Sequence, residues 1–219
     1  MKKKTSDARI LENAIAFARG MMKSLRSSHG WDHVQRVALL AGKIAAREGA
    51  DAFVVQVAAV LHDIARAEED ASGGKICHAA RGGVMAGEFL AGQGLDGERT
   101  KRIVHCIEAH RFRNNVRPAT VEAKVLFDAD KLDSIGAIGI GRAFLFSGEV
   151  GARLHNPDID VHTTRAYSEE DTAYREFIVK LRHVRKSMLT REGHRLAKGR
   201  HDYMKRFFNQ LQAEARGRR

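Results

Sequence analysis

His62 and Asp63 stand side by side at the end of the apolar run Val57-Ala58-Ala59-Val60-Leu61, where a buried helix should stop. Both are metal-ligating side-chain types, and a polar pair on the end of a core helix costs several kcal/mol unless something pairs with it. A metal ion is one such partner; a salt bridge or an N-terminal helix dipole is another. Company strengthens the first. His33 lies 29 residues earlier, close to one helix-turn-helix length, and Asp130 lies on a later apolar stretch. This mixed nitrogen and oxygen set suits Mn²⁺, Fe²⁺, Co²⁺, Ni²⁺ or Zn²⁺ better than Mg²⁺ or Ca²⁺, which prefer all-oxygen shells. Four such ligands leave positions for water and a substrate oxygen.

Positioning these groups falls to helices. Apolar residues at three- and four-residue steps predict helices over 7–25, 31–48, 52–64, 76–91 and 97–110. The helix over 52–64 is apolar around nearly its whole circumference and is expected at the centre. A polar, charged loop over 66–75 should border a site, and 111–117 should be a basic loop. Pro118 opens a helix that carries Val121, Val125, Leu126 and Ala129 inward to Asp128, Asp130 and Asp133. Gly136, Gly139 and Gly141 sit in a helical pattern, where close helix packing is the expected reason for them. An irregular stretch over 148–167 precedes a helix capped by residues 168–171 and running to about 186, then a last helix over 191–215.

A chain of 219 residues supports one good core and needs no second domain. Only two prolines interrupt it, which favours an all-helical fold over a sandwich or barrel. No apolar run approaches the roughly 18 residues of a spanning helix, and Cys77 and Cys106 show no disulfide or metal spacing. A cytoplasmic protein with no membrane partner is expected. The net charge of +11 attracts polyanions or merely solvates the surface, two readings of equal weight.

The pattern His33, His62-Asp63, Asp130 resembles that of the HD-domain superfamily of metal-dependent phosphohydrolases, specifically its small stand-alone bacterial and archaeal members. The likeness extends to His29-Gly30-Trp31-Asp32-His33-Val34-Gln35-Arg36-Val37, to Leu61-His62-Asp63-Ile64, and to the run from Asp128 through Asp130-Lys131-Leu132-Asp133 to Gly139. Thr190-Arg191-Glu192-Gly193-His194 and Arg200-His201-Asp202-Tyr203-Met204 are similar as well. The resemblance implies an all-α, single-domain compact helical bundle over 1–219, with a metal-binding core at about 25–150 and C-terminal helices at about 168–215 packing on it. It places the metal ligands on His33, His62, Asp63 and Asp130. Asp128 and Asp133 are the rivals for the last. Asp128 points about 200° from Asp130 on a helix, so the two cannot face one ion. Asp133 shares Asp130's face and is read as holding a ligand or water.

His78 and His110 match two histidines that some members use around phosphate or for a second metal. Members with a full second-metal set show a doubled histidine, whereas position 111 here is arginine. One divalent ion is therefore expected, with a second left open. His29 and Asp32 are candidate partners of His33, His105 faces elsewhere, and the five histidines from His155 to His201 are expected in solvent. The implied activity is hydrolysis of a phosphate ester or anhydride of a nucleotide or related small metabolite. The metal supplies hydroxide at neutral pH, His78 or His110 donates to the developing charge or the leaving group, and Arg66 and Arg111 hold phosphate. Nucleotidase, pyrophosphatase and phosphodiesterase subtypes stay open, as does a homo-oligomer. The alternatives are a scaffold that senses nucleotides without cleaving them and, less favoured, a basic nucleic-acid-binding protein. A nucleic-acid partner is not expected, because no recognition motif accompanies the charge.

Overall fold

The computed structural model describes residues 6–23, 30–111 and 116–218. His29, the end of the helix expected over 7–25 and most of the basic loop after Arg111 lie outside the described residues. Those residues contain helices and turns and no strand, as the all-α reading requires. None of the helices is long and apolar enough to cross a membrane. The backbone divides into two compact units, residues 1–130 and 131–219.

The first unit opens with α1 (Asp7–Met21), whose start Ser6 caps by accepting from Arg9 N at 3.3 Å. α2 (Trp31–Glu48) ends on Gly49 at φ 69°, a left-handed cap that glycine adopts without strain. Asp51 then accepts from Phe53 N and Val54 N at 3.1 and 3.2 Å and starts α3 (Ala52–Leu61). Val54, Val55, Val57, Ala58, Ala59, Val60 and Leu61 are all buried, and α3 packs on α1, on α2 and on α6 (Gly97–Ala109). It is the central helix its composition predicted.

α3 stops three residues before the expected end at residue 64. The chain tightens there into turns, Ile64 N to Leu61 O at 3.4 Å and Arg66 N to Asp63 O at 3.0 Å. Such i to i+3 bonds replace the α-helical ladder at helix ends. The polar stretch read as a loop over 66–75 instead contains α4 (Arg66–Ala71). Glu68 and Glu69 in its first turn favour the positive end of the helix dipole. α5 (His78–Gly92) packs on α6, and α7 (Val121–Asp133) begins in this unit and ends in the next. Pro118 lies just before α7, where Ala123 N bonds to Thr120 Oγ1 at 3.2 Å.

The second unit holds α8 (Gly136–Glu149), α9 (Ala173–Val179) and α10 (Arg191–Ala215), with 3₁₀ turns at Val161–Thr163 and Leu181–Ser187. Its core gathers on Phe208, stacked on Phe177 at 4.6 Å. The helix expected over 168–186 is shorter. Asp171 is spent on Arg175 at 2.8 Å and on Tyr167 N at 2.7 Å, so Thr172 caps α9 in its place. Lys180, at φ −136°, then breaks the chain into the 3₁₀ turn.

The glycines of α8 divide by cause. Gly136 has φ 81° and lies against the Arg200 side chain, which is close packing. Gly139 is required by a turn instead, since a Cβ there would lie 2.2 Å from Ser134 O, and Gly141 faces open space. His155, expected in solvent, is half-buried and edge-on to Tyr174 at 5.2 Å. Neither cysteine is in a disulfide, and burial pushes the Cys106 thiol up to about 12.

Candidate metal centre

Five elements of the first unit deliver titratable groups to one buried place: His33 from α2, His62 and Asp63 from the turn after α3, His78 from the first turn of α5, His110 at the end of α6, and Asp130 from α7. They form two adjoining triads, His33 with His62 and Asp130, and Asp63 with His78 and His110. In the first, His33 Nε2 lies 3.3 Å from His62 Nε2 and 3.4 Å from Asp130 Oδ1. In the second, His78 Nε2 lies 3.1 Å from His110 Nε2, and Asp63 Oδ1 is 3.2 and 3.8 Å from them.

Asp63 belongs to both. Its Oδ2 faces His33 and His62 at 3.7 and 3.6 Å while Oδ1 faces the other pair. It is only 3% exposed. Burial alone would raise its carboxyl, but the imidazoles of His62, His78 and His33 around it, with the bond to His78, hold it well below the usual carboxylate range. Burial also lowers His62, and it lowers His110 to about 3, keeping both rings neutral.

The far side of two of these rings settles which nitrogen is available. His62 Nδ1 donates to Ala59 O at 2.8 Å and His110 Nδ1 donates to Ile107 O at 2.5 Å, whereas His78 Nδ1 meets both Glu69 Oε2 and, at 2.8 Å, Arg111 Nη1. A neutral imidazole carries one proton, so a donating Nδ1 leaves Nε2 as a lone pair. His110 thus turns a lone pair toward His78 Nε2 at 3.1 Å. Neutral imidazoles and anionic carboxylates converging in this way fit a transition-metal ion.

Glu69 was not singled out in the sequence. It is buried, accepts from Arg111 Nη1 at 2.9 and 2.6 Å, and accepts from His78 N at 3.1 Å. Burial would raise its carboxyl, but Arg111 and His78 outweigh that and bring it to about 2. No spacing links positions 69, 78 and 111, and the only signal was an acidic run in a stretch bordering the site. Arg111 thus faces Glu69. Arg66 reaches His78 Nδ1 at 3.4 Å and Asp70 at 3.5 Å.

The remaining candidates belong to neither triad. Asp32 is bound to Arg36 at 2.6 Å on the surface. His105 accepts from Ala119 N at 3.1 Å. Asp128 is fully buried. Asp133, in the second unit, is paired with Arg142 at 2.9 Å.

Residues 30–135 match the HD domain model. Along 94% of its length the chain is 33% identical to the protein YpgQ of Bacillus subtilis, again over 94% of that protein. The chain belongs to the HD domain family. The crystal structure of B. subtilis YpgQ in complex with ADP superposes with a TM-score of 0.73 at 31% identity, over 93% of this chain and 97% of that one. An HD-superfamily hydrolase from Bacillus thuringiensis gives 0.77 at 27% identity, over 96% and 99%. The HD pair itself is His62-Asp63.

Proposed function

We propose that the chain is a metal-dependent phosphohydrolase acting on a nucleotide or a related small phosphorylated metabolite. The observation that carries this is Asp63, buried and anionic, with one oxygen toward each of two adjoining ligand triads. On this reading His33, His62, Asp63 and Asp130 hold one divalent ion, and Asp63, His78 and His110 form a position for a second. The family's hydrolases support the reaction class, and the ADP complex of YpgQ supports a nucleotide-type ligand. The same reading treats 1–219 as one HD-type domain, supported by relatives of equal length that match along nearly all of it.

When bound, a divalent cation supplies an acidified water and polarises a phosphoryl oxygen. The chain's own groups have three tasks. The Nδ1–H bonds of His62 and His110 to backbone carbonyls aim their Nε2 lone pairs inward, and Glu69 with Arg111 fixes the His78 ring. His110, with Nδ1 donating to Ile107 O, turns its Nε2 lone pair to the cluster and serves as a ligand, while His78, bonded to Asp63 through Nε2, donates to the developing charge or the leaving group. Arg66 is the arginine left to meet phosphate, because Arg111 clamps Glu69. The near-complete burial of Asp63 and His62 keeps bulk water from competing.

The test is turnover by the Mn²⁺-, Co²⁺-, Ni²⁺- or Fe²⁺-loaded chain on nucleoside mono-, di- and triphosphates and cyclic nucleotides. Release of phosphate or pyrophosphate, lost in Asp63→Ala, is expected. A fully loaded wild type inert across that panel would overturn the reading.

A further inference from the structure

The basic excess of this chain is local. Residues 180–219 carry thirteen Lys and Arg against three Asp and Glu, while the other 179 residues are nearly balanced at 25 against 24. So the net +11 belongs almost wholly to the end of the second unit. There, α10 buries Gly193, Ala197, Met204 and Phe208 on one side, where it packs on α8 and on the 3₁₀ turn Leu181–Ser187. Its other side exposes Arg191, His194, Arg195, Lys198 and Lys205, at helical steps that keep them on one face. Arg185 of the 3₁₀ turn acts on the charges of His201 and Asp202, which places a further cation beside this face. Glu192 and Asp202 hold Arg195 and Lys198 at 2.6 and 3.0 Å, and the cations still outnumber the acids.

We propose that this face of α10 docks the phosphate backbone of duplex DNA without reading its sequence. Three observations select that occupant. First, the side of α10 opposite the cations is buried in its own unit, so no apolar face is available to enter a bilayer. Second, the aromatic residues of α10, Tyr203, Phe207 and Phe208, fall outside the basic stripe, whereas proteins that hold single strands stack bases on aromatic rings. Third, 25 residues at 1.5 Å each make a rod of about 37 Å. That length matches one turn of B-DNA, about 34–36 Å, which presents one phosphate per roughly 1.7 Å of axis. Lys and Arg side chains on this face neutralise phosphates, which positions a duplex without carrying sequence information. The inference is independent of the metal centre, and its test does not read turnover.

The experiment is fluorescence anisotropy of a labelled 20-bp duplex of arbitrary sequence with the full chain, titrated from about 20 to 200 mM NaCl. Binding at low salt is expected, with log K falling against log[salt] at a slope of about −3 to −5, for three to five phosphates neutralised. The triple variant Arg185→Ser/Arg191→Ser/Lys205→Ser should bind roughly tenfold weaker or worse and flatten the slope by roughly 3. Lys43→Ser/Arg47→Ser/Lys101→Ser, which removes three exposed cations of the first unit, should match wild type. Should circular dichroism show the basic-face triple variant unfolded, Lys205→Ser alone should flatten the slope by about 1. No binding at 20 mM salt, or basic-face variants that bind like wild type, would overturn the proposal. So would tighter binding to single-stranded RNA or to phosphatidylserine vesicles than to the duplex.

Discussion

A carboxylate shut away from water normally takes up a proton, and Asp63 does the opposite because four imidazoles surround it at 3.2–3.8 Å. The ionic form is held by its neighbours, and they in turn are aimed by bonds on their outer nitrogens. Glu69 shows how far that aiming extends. Glu69→Gln keeps the shape and removes the charge that His78 Nδ1 and Arg111 both rely on. Metal affinity should fall roughly 10–100-fold with unchanged helix content, and activity should return when metal is raised, measured by metal titration at fixed substrate. An affinity equal to wild type would show that Glu69 does not support the site. Arg66→Ala should raise KM roughly tenfold or more, the loss of one hydrogen bond to a charged group at about 1.5–3 kcal/mol, while leaving metal content intact.

Among elements, α2, α3, α6 and α10 were legible because their apolar steps are regular and their ends carry plain signals, Gly49 after α2 and Asp51 before α3. The four ligands expected from the resemblance lie together with His78 and His110 in the first unit, although α3 ends three residues before its apolar pattern indicated. α4 was missed because four of its six residues are charged, and its Glu69 is held by Arg111, a residue far away in sequence. Local pattern cannot report a partner 42 residues away. Gly139 was assigned the wrong cause because a turn carbonyl leaves no trace in apolar periodicity. Gly139→Ala should cost about 2–4 kcal/mol of unfolding free energy by chemical denaturation, since the obstacle is the Ser134 backbone carbonyl, whereas Gly141→Ala should gain up to about 1 kcal/mol.

Glu122 on α7 ties together two helix starts, accepting from Asp51 N at 3.2 Å and from Arg102 at 2.9 Å. Burial would raise its carboxyl, but these bonds and Arg102's charge lower it. A lowered folded value stabilises above the unfolded value near 4.5 and is lost as pH falls through the folded one. Glu122→Gln should therefore cost about 1 kcal/mol at pH 7, a figure kept small because Arg102 is 39% exposed. The gap should close as pH falls below the unfolded value and through the folded one, by thermal denaturation of both proteins. A gap that widens on acidification would contradict the assignment.

For the whole molecule, a metal that binds only the folded chain must stabilise it. Mn²⁺ at a hundred times its Kd should add about 2.7 kcal/mol, which for a chain of this size raises Tm by roughly 5–10 °C. Excess chelator should reverse the gain. Charge is divided as clearly as chemistry is: the titratable cluster lies in residues 33–130, and the basic excess lies in residues 180–219. A total of +11 read as a property of the surface conceals that division. The central claim is that Asp63 joins two ligand triads into one metal centre. The most direct test is elemental analysis of Mn²⁺-loaded wild type, His78→Ala and Asp63→Ala after gel filtration. The account predicts up to two ions per chain in wild type, at most one in His78→Ala, and close to none in Asp63→Ala. An Asp63→Ala chain that keeps the wild-type metal content would contradict it.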